Sequence, residues 1–546
     1  MEQERSFFKD PRLWLIFFCY LGAGLISFNR GLLLADEGYE LYFSWMIARG
    51  ARIYKDFSLQ VAPLSFLIQA ALIKLFGFKL IISRIYALAL GGVGFLAAGY
   101  LSRKLAPGRA WLISAALFIF FSNNLFNYAH YSVDSKFLLV AGLAFTVAAL
   151  KSPGPWAALL AGVFMGAAVC SYQSFIIIAA AEAALLVIRK QDARGRVRAL
   201  QLFLAGVLLV ALPVLAYLAK ARLLEETWTA LVNSGATKSH VFRFLFIAVY
   251  PLVLVAGLAT LLIKRLWSAG GWGRTASVIL ILAALGLSIV LGFHNPAPVP
   301  HLISLLAPAV LFTLAGSYLA SDAGTIEQWT IWIISALLFL TGLQSGYDLA
   351  HNLSSALLVI PWVGFLASRL PLTERFKPWG LSAAGLGLAA LIFGASIFMF
   401  LTRAELFGEA PPLWRCTGRL DLATASGIYT TEEQARELEI LVARINALAR
   451  PGEPVLAFPS QLLLYPLSGH PSLSPAPYFY YELADLKQLS AAADRALAEK
   501  SVVVFQLQKG KIFQPLAGAQ AREIIDHLAA SCVEKTELKD YLVCRL

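Results

Sequence analysis

The sequence predicts a mainly α-helical, polytopic membrane protein of about thirteen transmembrane helices, followed by a small C-terminal α/β domain. Three observations predict it. Of 546 residues, 59% are hydrophobic and 14% charged, and the mean hydropathy is +0.69, too apolar for a soluble chain of this length. Apolar runs long enough to cross a bilayer recur as far as residue 403. Residues 404–546 then return to an ordinary globular mixture of charged and apolar residues. The expected division is a transmembrane domain over 1–403 and a soluble α/β domain over 404–546.

The first run, 12–34, has no small-residue cleavage site and is followed by further runs, so it reads as a span and not as a cleaved signal. Further spans are expected near 82–101, 110–128, 137–150, 155–171, 175–188, 199–219, 243–263, 275–292, 302–320, 329–343, 353–367 and 379–401. The run 63–76 is short and begins at Pro63, and charge decides its place. If it lies along the membrane surface, Arg103, Lys104 and Arg109 share a side with Arg5, Lys9 and Arg12. The cluster Arg189 to Arg198, the basic residues 264–274 and those at 369–377 join them, while the opposite short loops carry only Lys136. The positive-inside rule then puts the N-terminus inside and the C-terminal domain outside, with 35–81 as the first outer loop. All seven histidines fall outside under this topology. The net charge of +12 is spent on these topology signals, and no nucleic-acid-binding motif accompanies it.

"LLLADEGYELYFSWMIARG" (32–50) places Asp36 and Glu37 where the first run ends. An amphipathic pattern follows, with Tyr39, Tyr42, Phe43, Met46 and Ile47 on one face and Glu40 and Arg49 elsewhere. That predicts a helix lying in the membrane interface. Its N-terminus favours anions, so the pair suits either a site or a simple helix cap.

From here the order of motifs resembles the GT-C superfamily of integral membrane glycosyltransferases, and within it family 39. That branch includes protein O-mannosyltransferases and the bacterial lipid A aminoarabinose transferase. The resemblance rests on Asp36-Glu37, then "GARIYKDFSLQVAPL" (50–64) with Gly50, Tyr54, Asp56, Pro63 and Leu64, then Phe76, Gly77 and Arg84. "YAHYSVDSK" (128–136) matches the second outer loop of such proteins. Two departures stand out: a single Pro63 follows Gln60-Val61-Ala62, and "CSYQS" (170–174) stands where many members carry Lys.

The resemblance implies transfer of a sugar from a polyprenyl-phosphate donor to an acceptor hydroxyl of a lipid, glycan or protein on the extracytoplasmic face, with inversion. It also implies an inner (plasma) membrane location. An acceptor hydroxyl needs a carboxylate base, and a leaving phosphate needs cations or a metal to absorb its charge. Asp36 is expected to be the catalytic base, with Glu37 beside it. Glu37 leaves the helix on another face and has the weaker claim. Asp134 is expected to orient the acceptor or to hold a divalent ion (Mg or Mn) with Asp36. Lys136 or Arg84 would pair with the donor phosphate, although snorkelling anchors have the same sequence appearance. Tyr54 counts as a substrate contact by its motif position. In "GFHNPAPVPHLISLLAP" (292–308), His294 and His301 sit at an outer mouth near the expected phosphate, with no metal-ligand spacing.

The tail predicts a helix over 431–448 capped by Thr430 or Thr431, strands at 454–458, 501–506 and 541–546, and helices near 482–498 and 519–530. The aromatic, turn-rich run 459–481 reads as a packing lid. Cys532 and Cys544 flank a hairpin in a compartment where disulfides form. Two rivals remain. A polytopic lipid or polysaccharide transporter would put its ionisable groups mid-span and show repeated halves. An O-antigen-type ligase or polymerase would rely on a large late outer loop.

Overall fold

The computed structural model describes residues 9–105, 111–112, 114–115, 118, 128–151, 155–189, 193–237, 313–316, 318–320, 324–342, 362, 365, 411–459, 461–477, 486–508, 511–513 and 519–546. The expected spans at 243–263, 275–292 and 379–401, the boundary at 404, and His240, His294, His301 and His351 lie outside these residues.

Ten helices make up the described part before residue 343. They are α1 (Pro11–Ser27), α2 (Asp36–Ala48), α3 (Leu64–Phe76), α4 (Leu80–Leu105), α5 (Tyr131–Lys151), α6 (Pro155–Ser171), α7 (Ile176–Arg189), α8 (Ala193–Lys220), α9 (Leu224–Thr237) and α10 (Ile326–Gly342). Among the described residues, three stretches are long and apolar enough to cross a membrane: Leu80–Leu105, Tyr131–Leu150 and Arg194–Lys220. α3 spans 13 residues. At about 1.5 Å per residue it falls short of a ~30 Å hydrocarbon core.

Small residues bring the helices together, as expected where lipid removes the hydrophobic drive. A Cβ at Gly162 of α6 would collide with the Phe203 carbonyl of α8, and one at Gly206 of α8 with the Leu159 carbonyl of α6. α1 packs on α4 through Tyr20 and Phe95, whose ring centroids are 5.2 Å apart.

One expectation is corrected. The first apolar run was read as a span to residue 34, but α1 ends at Ser27. The apolar residues Leu32, Leu33 and Leu34 are buried by protein. Their segment pairs its backbone with the C-terminal domain: Tyr429 N donates to Asn29 O (2.8 Å), Gly31 N to Tyr429 O (2.8 Å) and Leu463 N to Leu34 O (3.0 Å). Gly31 takes φ +75°, which turns the chain there.

The C-terminal part is an α/β layer structure. Helices α11 (Glu432–Leu448), α12 (Leu464–Ser468), α13 (Leu486–Glu499) and α14 (Ala519–Ala530) accompany strands β1 (Gly418–Arg419), β2 (Tyr429–Thr430), β3 (Val455–Phe458), β4 (Val502–Gln508), β5 (Lys511–Ile512), β6 (Glu534–Glu537) and β7 (Tyr541–Arg545). The main sheet runs β3-β4-β7-β6, parallel between β3 and β4 and antiparallel elsewhere, and β5 pairs with β4. Alternation along β4 serves two faces. Val503 and Phe505 pack in a core with Leu489 of α13 and Ile525 and Leu528 of α14. Val502 and Val504 face the core that contains Leu438 and Leu441 of α11. The Thr431 side chain caps α11 by accepting from Gln434 N at 3.1 Å. Cys532 and Cys544 are disulfide-bonded across the β6–β7 hairpin.

Candidate active site

α2 begins at Asp36, with Ala35 in the cap position and no side-chain cap. Both acids stand in the first turn, where free N–H groups and the helix dipole favour negative charge. Their surroundings differ. Glu37 is fully buried and meets Arg84 of α4 in a two-pronged ion pair, Nε to Oε1 at 2.7 Å and Nη2 to Oε2 at 2.6 Å. The other guanidinium donors go to the carbonyls of Phe28 (3.1 Å), Arg30 (3.4 Å) and Gly31 (2.8 Å). An arginine has five N–H donors, and five acceptors are present. Arg84, only 1% exposed, therefore has no donor to offer a phosphate. This corrects the expectation of a phosphate contact there: the pair bolts α2 to α4 and holds the segment after α1. Glu37 likewise turns its carboxylate to Arg84 and not toward a substrate. Asp36 stays half-buried at the helix start.

One turn further along, Glu40 is also fully buried. Its Oε2 accepts from the backbone N of Tyr131, the first residue of α5, at 3.2 Å. Its Oε1 has no hydrogen-bond partner among the described residues. Burial first, then the adjacent charge of Asp134, push the Glu40 carboxyl well above the usual carboxylate range. Asp134 accepts from Ser65 Oγ of α3 at 3.2 Å and from the Tyr86 phenol of α4. Thus α2, α3, α4 and α5 each send a polar side chain to one buried point. The sequence reading missed Glu40, placing it on the polar side of an interfacial helix. Its signal was the spacing of Glu37, Glu40 and Ser44, which fall on one face at helical period and are all buried.

Lys136 follows two residues after Asp134, about 200° round α5, and is buried. Tyr54, at φ +64°, donates its hydroxyl to Val61 O at 2.7 Å and so closes the loop between α2 and α3 on itself. That bond makes it a loop brace. In the same loop Asp56 pairs with Arg52 at 2.8 Å, and this bond holds its carboxyl below the usual range. Gln173 uses both ends of its amide on the chain before α3. Oε1 accepts from Ala62 N at 3.0 Å and Nε2 donates to Gln60 O at 3.1 Å. The position that departs from the resembled pattern therefore has a structural task. Rings of Tyr39, Phe66, Tyr131 and Tyr172 wall the region, with neighbouring centroids 5.9 to 6.1 Å apart.

The C-terminal domain roofs α2. Gly38 passes so close beneath Leu463 that a Cβ would strike its backbone N. Tyr42 and Tyr465 rings are 4.9 Å apart, and Ser472 N donates to the Tyr42 hydroxyl at 3.2 Å. Ser58 N reaches Pro475 O at 3.0 Å. The described part of the 459–481 run therefore serves as a lid. Among the described residues, no group of three or more His, Cys, Asp or Glu side chains is placed to hold a metal ion.

No family model and no curated protein matches the chain. Solved structures do. The archaeal oligosaccharyltransferase AglB from Archaeoglobus fulgidus, in complex with an inhibitory peptide and a dolichol-phosphate, matches over 92% of this chain and 70% of its own, with 13% identity and a TM-score of 0.50. ArnT from Cupriavidus metallidurans bound to undecaprenyl phosphate matches over 97% of each chain, with 13% identity and a TM-score of 0.44. Identities this low speak to fold alone, and the fold argument rests on AglB. With its apolar helices and C-terminal sheet, the chain is a multi-pass membrane protein with a GT-C-type fold.

Proposed function

We propose that the chain is a membrane glycosyltransferase that moves a sugar from a polyprenyl-phosphate donor to an acceptor hydroxyl on the extracytoplasmic face. The observation that carries this reading is the start of α2: Asp36 stands half-buried in the first turn while its neighbour Glu37 is locked by Arg84. The ion pair fixes the first turn, and so fixes the direction in which Asp36 leaves it. The fold shared with AglB supports a lipid-phosphate donor, since that protein is described in complex with a dolichol-phosphate. Residues 1–403 form the transmembrane transferase domain, and 404–546 an extracytoplasmic domain whose lid packs on the first outer loop.

In this mechanism the Asp36 carboxylate takes the acceptor proton as the hydroxyl oxygen attacks the anomeric carbon. The bond from that carbon to the phosphate oxygen breaks, and polyprenyl phosphate leaves with the electron pair. Attack opposite the leaving group inverts the centre. The helix N-terminus supplies N–H dipoles near the reacting charge. Lys136 is the cation assigned to the phosphate; His294 and His301 are proposed at the outer mouth. Asp134 orients the acceptor. A divalent ion, where one binds, would supply Lewis-acid stabilisation of the leaving phosphate.

The test is the lipid. The full chain, purified in mild detergent and analysed by mass spectrometry, should carry a polyprenyl phosphate with or without a sugar. Its absence from preparations that retain bulk phospholipid would sink the donor assignment. A reporter fused after Leu546 should be active only outside the cytoplasm, and one at Arg194 only inside. Cytoplasmic activity at Leu546 would overturn the orientation.

A further inference from the structure

α8 and α9 meet at a tight reversal. α8 presents Leu204, Leu208, Leu212 and Leu215 to the outside, all exposed and three or four residues apart. Its span is long and apolar enough to cross a membrane, so this face is lipid-facing. The helix ends where Arg222 takes φ +55° and Leu223 N returns to Leu218 O at 2.9 Å. Lys220 and Arg222 sit at this turn, suited to the headgroup level. Leu223 is fully buried beneath it.

α9 then carries the apolar face onward. Leu224 is 48% exposed, Trp228 71% and Val232 48%, spaced four residues apart on one stripe. Thr227, about 100° round the helix from Trp228, is buried. The helix has 14 residues, about 21 Å at 1.5 Å each, too short to cross. Glu225 and Glu226 occupy its first turn. Glu226 acts on the charge of Arg52, which places α9 beside the first outer loop.

We infer that α9 lies in the lipid–water boundary of the bilayer, with Leu224, Trp228 and Val232 inserted among the lipids. Continuity identifies the occupant, because the stripe extends the lipid-facing side of α8 around one turn. An indole ring suits that depth, with its body among acyl chains and its N–H at the headgroups. The helix thereby fixes the depth of the Arg52–Asp56 loop against the membrane. This inference does not depend on the transferase reading.

Site-directed spin labelling tests it on the full chain, with Cys19, Cys170 and Cys416 changed to Ser and the disulfide pair kept. A nitroxide at position 224, 228 or 232, or at 229 as the control, about 100° round the helix from 228 and exposed, is measured in phosphatidylcholine–phosphatidylglycerol vesicles. Labels at 224, 228 and 232 should relax several-fold more with oxygen relative to a water-soluble nickel chelate than the label at 229. Their depth should be about 5–10 Å below the headgroups. Equal ratios at 228 and 229 would overturn the inference in favour of a water-facing helix. Shielding from both reagents would overturn it in favour of a protein partner or a second copy. A second reading keeps all native cysteines: emission present in wild type but missing in Trp228→Phe should be quenched by brominated phospholipid. Unquenched emission would also overturn the inference.

Discussion

Two buried acids on α2, one turn apart, have opposite surroundings. Glu37 meets a guanidinium with both oxygens, while Glu40 meets a backbone N–H and the charge of Asp134. The first is a saturated ion pair whose two partners share one buried site. The second is a carboxyl that burial drives toward its neutral form. A buried acid is therefore no single signal. Its partners decide whether it serves as a bolt or as a proton-bearing group.

Substitutions break this comparison at different strengths. Glu37→Gln leaves the Arg84 charge buried without a counter-charge, and losing one partner of a buried pair costs about 3–5 kcal/mol. Thermal unfolding in detergent should show a large fall in midpoint, and an unchanged midpoint would mean that the three carbonyls satisfy Arg84 alone. Gly38→Ala puts a methyl against the Leu463 backbone, and overpacking of this kind costs about 1–3 kcal/mol. It should loosen the lid first, read as faster proteolysis within 459–481; lid protection equal to wild type would show that the backbone shifts freely. Glu40→Gln should be the mildest. In acid, where the carboxyl is neutral in both the folded and the unfolded chain, the amide replaces it at a cost of about 0.5 kcal/mol or less, the size of an ordinary tolerated substitution. The sign follows from the raised pKa: the neutral form is favoured in the fold, so stability held at lower pH is lost as pH rises through the folded-state pKa. Wild type should therefore lose stability at high pH relative to Glu40→Gln, and parallel pH profiles would contradict the assignment.

The comparison also explains what the sequence could disclose. In the tail, period and punctuation agree: the 3.6-residue pattern after Thr431 is a helix, and the Val-rich runs are strands. Local chemistry decides those elements, so they were legible. The end of the first span was not, because Leu32–Leu34 look identical whether lipid or a folded-over domain buries them. The Asp36-Glu37 pair was visible as a motif, but the division of labour within it depends on Arg84, 47 residues away. Glu40 was hidden for the same reason, since an acid among aromatics reads as a solvent face until α5 is seen to cover it.

The central claim is that Asp36 carries the chemistry and Glu37 carries the structure. It is tested by measuring sugar-transfer rate and thermal midpoint together for Asp36→Asn and Glu37→Gln, using lipid-linked sugar extracted with the protein's own membranes. Losing a general base typically costs about two to four orders of magnitude in rate. Asp36→Asn should keep the wild-type midpoint and the bound polyprenyl phosphate while losing transfer by that factor, and Glu37→Gln should lose midpoint first. Near-normal transfer by a well-folded Asp36→Asn would contradict the account and return Asp36 to a charge at a helix start.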